Sequence, residues 1–140
     1  MFIRFVFYGL LGWVTEVVYT GAADLLKGDW SLRGFTFLWM FPIYGLGVLG
    51  ERVHDSIRQL PWMVRGLIWL GLIWAVEYSS GWLLRELTGT CPWDYGYSVF
   101  SIHGFIRLDM AGDWFLAGLA FERVHDWLDR LFFRVYQGTE

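Results

Sequence analysis

Cysteine is almost missing from this chain: Cys91 is the only one, which excludes an internal disulfide and leaves the redox compartment open. Charge is scarce too, at 18% of residues, and eleven Lys and Arg set against fourteen Asp and Glu give a net charge of −3. With a pI near 5.5 there is no basic footprint, so nucleic acid is not an expected partner. There is no P-loop, and no nucleotide-binding domain accompanies the rest of the chain. What fills the sequence instead is apolar and aromatic: 56% hydrophobic, 21% aromatic and ten Trp, which do not describe a soluble surface. Mean hydropathy of +0.39 points to a membrane.

A bilayer core needs ~20 predominantly apolar residues per helix. Four stretches qualify, at about Phe5–Leu25, Gly34–Gly50, Gly66–Leu84 and Met110–Trp127, the last interrupted by Asp113 and Glu122. Pro42, followed by Tyr44-Gly45-Leu46-Gly47, predicts a kinked and closely packed second span. Glu16 inside the first run disfavours a cleaved signal peptide, so that run is read as a retained helix. Four spans put Arg4, Arg52, Arg58, Arg65, Arg123, Arg130 and Arg134 on one side, and Lys27, Arg33, Arg85 and Arg107 on the other. The positive-inside rule then places both termini in the cytoplasm, in a plasma or inner membrane.

Two carboxylates stand out. Glu16 and Glu77 each follow a Trp by three residues, Trp13 and Trp74, inside apolar runs where an ionisable group costs at least ~2.5 kcal/mol to insert. Such a group normally faces protein or a wet cavity. The pair belongs to a wider self-similarity. Arg33-Gly34-Phe35 answers to His103-Gly104-Phe105, and Glu51-Arg52-Val53-His54-Asp55 recurs letter for letter at Glu122-Arg123-Val124-His125-Asp126. Internal similarity of this kind marks a duplicated unit. The expected fold is an all-α membrane protein, a single integral membrane domain over residues 1–140. Its four transmembrane helices form two parallel two-helix repeats, about 5–56 and 66–127. A partly re-entrant or interfacial segment lies between the third and fourth helices, where Cys91-Pro92-Trp93-Asp94-Tyr95 is too apolar for a free loop and too charged for lipid. At ~1.5 Å per residue both glutamates lie ~18 Å from the cytoplasmic end, and are expected to face one another.

Carboxyls that gain and lose a proton at that depth suit proton-coupled transport or cation binding. The structural alternative is a hydrogen bond to Tyr19, Tyr44, Tyr78 or an indole. Glu51-x-x-His54 and Glu122-x-x-His125, taken with Glu16 and Glu77, match on paper a bundle dimetal pattern. The two sets differ by roughly 15 Å in depth, however, so no metal or cofactor is expected. Arg33 and Arg107 on the outer side could bind a headgroup or pair with Asp94 and Asp109.

The chain resembles the transmembrane protein 229 family, which is grouped with bacterial ABC-transporter type IV permease-like proteins. The likeness runs from about Tyr8 to Asp126. It rests on Gly12-Trp13-x-x-Glu16-Val17-x-Tyr19, Arg33-Gly34-Phe35, Pro42-Ile43-Tyr44-Gly45, Val48-x-x-Glu51-Arg52, Glu77-Tyr78-x-x-Gly81, Cys91-Pro92-Trp93-Asp94-Tyr95 and Gly104-x-Ile106-x-Leu108. The resemblance implies a small multi-pass membrane protein, with Glu16, Arg33, Tyr44, Glu51, Glu77, Trp93, Asp94 and Tyr95 as motif positions. Glu16-Val17-x-x-Thr20 is also similar to the first helix of small multidrug exporters.

Three functions are compatible with these features. One is a transporter or channel-like protein handling a proton or small cation through Glu16 and Glu77, as a homodimer since four helices enclose little volume. Another is an intramembrane enzyme with a lipid or prenyl-type substrate near Trp93, Asp94, Tyr95, His103 and Arg107. The third is a lipid-binding protein or non-catalytic scaffold. Membrane lipids are the expected partners in each.

Overall fold

The computed structural model describes the backbone of residues 1–137 and the side chains up to Leu131, so Arg134 of the orientation argument lies outside the described side chains. The chain is mostly helical: α1 Phe2–Leu26, α2 Met40–Gly45, α3 Gly47–Ile57, α4 Trp62–Thr88 and α5 Ala111–Gln137, with a hairpin of β1 Ser101–Ile102 and β2 Ile106–Arg107 before α5. It forms two compact units, Met1–Arg52 and Val53 onward.

In the first unit α1 runs for 25 residues. Its threonine hydroxyls bond back along the helix, Thr15 to the Leu11 carbonyl at 2.8 Å and Thr20 to that of Glu16 at 2.9 Å, so they cost little in an apolar setting. Gly28, at φ +85°, turns the chain away from the helix.

The expected single span over 34–50 is not one helix. Residues 32–37 instead run without regular structure along α1. Gly34 fits there because it has no side chain: an added Cβ would come within 2.2 Å of the Val17 carbonyl oxygen. Side chains of α1 replace the missing helical bonds. The Phe35 N–H donates to Thr20 Oγ1 at 2.9 Å, and Trp13 Nε1 donates to the Phe37 carbonyl at 3.0 Å. The helical interruption falls at Leu46 rather than Pro42. Pro42 is the third residue of α2, where its missing N–H has no intrahelical partner to lose.

In the second unit α4 follows Pro61 and stops at Gly89, which is left-handed at φ +80° and donates to the Arg85 carbonyl at 2.9 Å. The hairpin pairs Ser101 with Arg107 and Ile102 with Ile106. Its tip carries His103 at φ +53° and Gly104 at φ +80°. Phe105, 1% exposed, anchors the hairpin on Gly81 of α4. Helices α4 and α5 approach closely through Gly66 beneath the Phe115 ring and Gly118 beneath Trp69.

α1 and α4 are the described helices long and apolar enough to cross a membrane. Only 11% and 17% of their most apolar stretches are buried within the chain. α5 is as long as α4, but its charged residues keep it from that class.

Candidate functional site

The glutamate in each of the two apolar helices, Glu16 and Glu77, accepts from hydroxyls of the segment that follows its helix, two for Glu16 and one for Glu77. Glu16 Oε2 accepts from the Thr36 hydroxyl at 2.6 Å and from the Tyr44 phenol at 2.9 Å. Thr36 is carried by the stretch that Thr20 and Trp13 tie down, and Tyr44 by α2. The Tyr44 ring lies on Gly12, where an added Cβ would come within 2.2 Å of its Cγ. Glu16 Oε1 accepts no hydrogen bond among the described residues. Because both donors converge on Oε2, Oε1 can carry a proton or ligate a cation without breaking either bond.

In the second unit Glu77 Oε1 accepts from the Tyr95 phenol at 3.0 Å. Tyr95 is fixed by its own N–H, which donates to the Gly104 carbonyl at 2.8 Å, and the Arg107 guanidinium lies 5.8 Å from its ring centre. Tyr78 is one of the four kinds of partner that the structural alternative offers a glutamate. Instead its hydroxyl lies 2.7 Å from His103 Nδ1, and the imidazole tautomer decides which group donates.

The remaining expected residues of this unit knit the same segment together. Asp94 Oδ1 accepts from the Gly96 N–H at 2.8 Å and sits against Gly104, where an added Cβ would come within 2.7 Å of it. Trp93 packs on Gly81. Arg107 pairs with Asp109 through two donors and reaches Tyr97 Oη at 3.4 Å. Those bonds hold the Asp109 carboxyl below the usual carboxylate range and push the guanidinium further up. Arg85 lies 4.1 Å over Phe105 and reaches the His103 carbonyl at 3.5 Å. Thus Glu77, Tyr95 and Arg107 meet, while Trp93, Asp94 and His103 brace the hairpin.

Arg33, in the first unit, stays within its own loop, bonding Ser31 Oγ at 3.2 Å and Asp29 at 3.4 Å. Ser31, with a smaller contribution from Arg33, lowers the Asp29 pKa.

In the repeated Glu-Arg-Val-His-Asp motif, Glu51 and Glu122 pair with Arg, as the sequence favours over a metal site. Glu51 Oε1 accepts from Arg4 Nε at 2.6 Å and Tyr8 Oη at 2.8 Å. In the other unit Glu122 accepts from Arg65 Nε at 3.0 and 3.1 Å and from Trp69 Nε1 at 2.9 Å. The signal was the shared spacing, an Arg followed four residues later by an aromatic donor, early in each first helix. Glu122, His54 and His125 are buried. The two imidazoles meet edge to face at 5.4 Å, and His54 lies 3.5 Å from Glu122 and 3.3 Å from Asp126. Among the described residues no His, Cys, Asp and Glu group is arranged to hold a metal ion.

A family model described as "Putative ABC-transporter type IV" matches residues 3–138, nearly the whole chain. It carries the permease-like of the two family names reached from the sequence. No solved structure matches the chain.

Proposed function

We propose, on the premise that the chain belongs to the family described as "Putative ABC-transporter type IV", that it is an integral membrane protein of transporter type in which Glu16 and Glu77 each bind a proton or a small cation. The observation that carries this reading is the Glu16 cradle. A carboxyl in an apolar helix has two hydroxyl donors on one oxygen and none, among the described residues, on the other. Tyr95 supplies the comparable donor to Glu77.

Membrane insertion is supported by the exposure of α1 and α4. The core helix of a soluble protein is mostly buried, whereas Leu10, Val14, Val18, Leu67, Leu72 and Leu83 are exposed on these two. Helices α2 with α3 and α5 complete four membrane passages in the proposed arrangement, with α2 and α3 acting as one interrupted passage. Both termini are cytoplasmic and the working form is a homodimer in a plasma or inner membrane. A parallel duplication is supported by the matching clamps on Glu51 and Glu122. Kinship with the transmembrane protein 229 family is part of the same proposal.

A lipid-soluble carbodiimide reacts with a carboxyl through its protonated form, so it reports sheltered carboxyls that take up protons. Peptide mass spectrometry should find the adduct at Glu16 and Glu77, and reduced labelling when the transported cation is present. Labelling confined to loop carboxylates such as Asp94 and Asp109 would refute the assignment.

A further inference from the structure

At the end of the second unit where α3 meets α4, a cleft of about 220 Å³ is lined by His54, Arg58, Arg65, Glu122, Arg123 and Asp126. Its charges are unevenly matched. Glu122 is engaged by Arg65 Nε and Trp69, and Asp126 by Arg58 and His54, each at 3.3 Å. Asp55 takes a further bond from Arg58 Nη2 at 2.9 Å. Both lining carboxylates therefore already have cationic partners.

The donors are not used up. Arg123 makes no hydrogen bond or ion pair among the described residues, and neither do Arg65 Nη2 nor Arg58 Nε and Nη1. Three guanidinium groups around one opening, with donors to spare after both lining carboxylates are engaged, favour an anion with several acceptor oxygens.

We infer that this cleft binds the phosphate group of an anionic phospholipid. Its volume admits a phosphate and the adjoining glycerol, which a bare chloride would leave largely unfilled. The lipid source follows from position. Arg65 stands one turn into α4, just after Trp62 and Met63, which are 57% and 59% exposed at the start of an apolar helix. A Trp at that point belongs at the headgroup level of a bilayer, and places the guanidinium groups where lipid phosphates lie. The inference rests on the membrane reading of α4 and does not involve Glu16 or Glu77, so carbodiimide labelling can fail while this site stands.

The test uses the full chain in neutral detergent, titrated separately with phosphatidylglycerol, phosphatidylcholine and inorganic phosphate. Lipid adducts are counted by native mass spectrometry, and the unfolding midpoint is followed in parallel. Phosphatidylglycerol should bind in preference to phosphatidylcholine and raise the midpoint. Arg123→Gln should weaken that binding about tenfold, the scale of one charge-assisted hydrogen bond. Lys27→Gln, which removes the same charge in the other unit, should leave it unchanged. Because Arg123 is exposed, its substitution should leave the ligand-free midpoint near that of the wild type, separating lost binding from lost folding. Equal binding of the two lipids, or an Arg123→Gln protein that binds like the wild type, would overturn the site. Inorganic phosphate reproducing the full effect of phosphatidylglycerol would overturn the lipid source.

Discussion

Tyr44 can reach Glu16 only because residue 12 has no side chain. Gly12→Ala would place a methyl 2.2 Å from Tyr44 Cγ, and neither the ring nor the α1 backbone can yield without moving the phenol off the carboxylate. The expected loss is about 1–3 kcal/mol from overpacking. Tyr44→Phe keeps the ring and removes one hydrogen bond, a loss of about 1 kcal/mol. Unfolding midpoints in detergent should therefore rank wild type, Tyr44→Phe, then Gly12→Ala. Cys91 offers a separate residue-level check. Burial against the α4 surface pushes its thiol pKa up, so less of the reactive thiolate is present near neutral pH. Alkylation followed by mass spectrometry should be slower than for free cysteine and should accelerate as the pH is raised. A rate equal to that of free cysteine would remove the proposed packing of the thiol.

Among the helices and the hairpin, the two glutamate clamps make unequal demands. The Glu122 side chain is 5% exposed and that of Glu51 16%, so truncating the former opens the drier gap and takes from Arg65 its carboxylate partner, leaving it the Arg58 and Leu60 carbonyls. Glu122→Ala should cost about 3–5 kcal/mol, and Glu51→Ala less, when each is measured by denaturant unfolding. The hairpin has an acid limit. Asp109 has a depressed folded-state pKa through its bonds to Arg107. It contributes stability above the ordinary carboxylate range, and that contribution fades as the pH falls through the depressed value. Amide protection across residues 95–109, taken relative to the intrinsic exchange rate at each pH, should fall on that acid side, and Asp109→Asn should show reduced protection already at neutral pH.

These elements also show what could be read from residues alone. The long apolar runs gave α1 and α4, and Pro61 and the polar loop residues bounded them. The stretch 34–39 is equally apolar and its residues alone predict helix, because nothing in them reveals that Thr20 and Trp13 satisfy its backbone. Glu16 and Glu77 were visible by their surroundings, and Tyr44 was among the partners weighed for them. Thr36 is not, since a loop hydroxyl is anonymous until the loop is docked, and Tyr95 stands out in its Pro-Trp-Asp-Tyr motif but not as the partner of Glu77. Trp13 and Trp74 look equivalent in sequence, yet Trp13 bonds the Phe37 carbonyl whereas the Trp74 indole has no acceptor among the described residues.

For the molecule as a whole, the proposed duplication accounts for features of each unit taken by itself. Phe5 fills the space over Gly45 in the first, and Phe115 fills the space over Gly66 in the second. On that proposal large and small residues have exchanged helices, as complementary packing allows when two copies diverge. What both units have is an acidic side chain in the apolar helix and at least one hydroxyl from the next segment to hold it. The account is tested most directly by flux through the purified protein in liposomes under an imposed proton gradient, with candidate cations varied one at a time. Wild-type protein should carry current, and Glu16→Gln with Glu77→Gln should abolish it while still inserting and folding, since glutamine preserves an acceptor for Thr36, Tyr44 and Tyr95. Undiminished flux in that double variant would contradict the account.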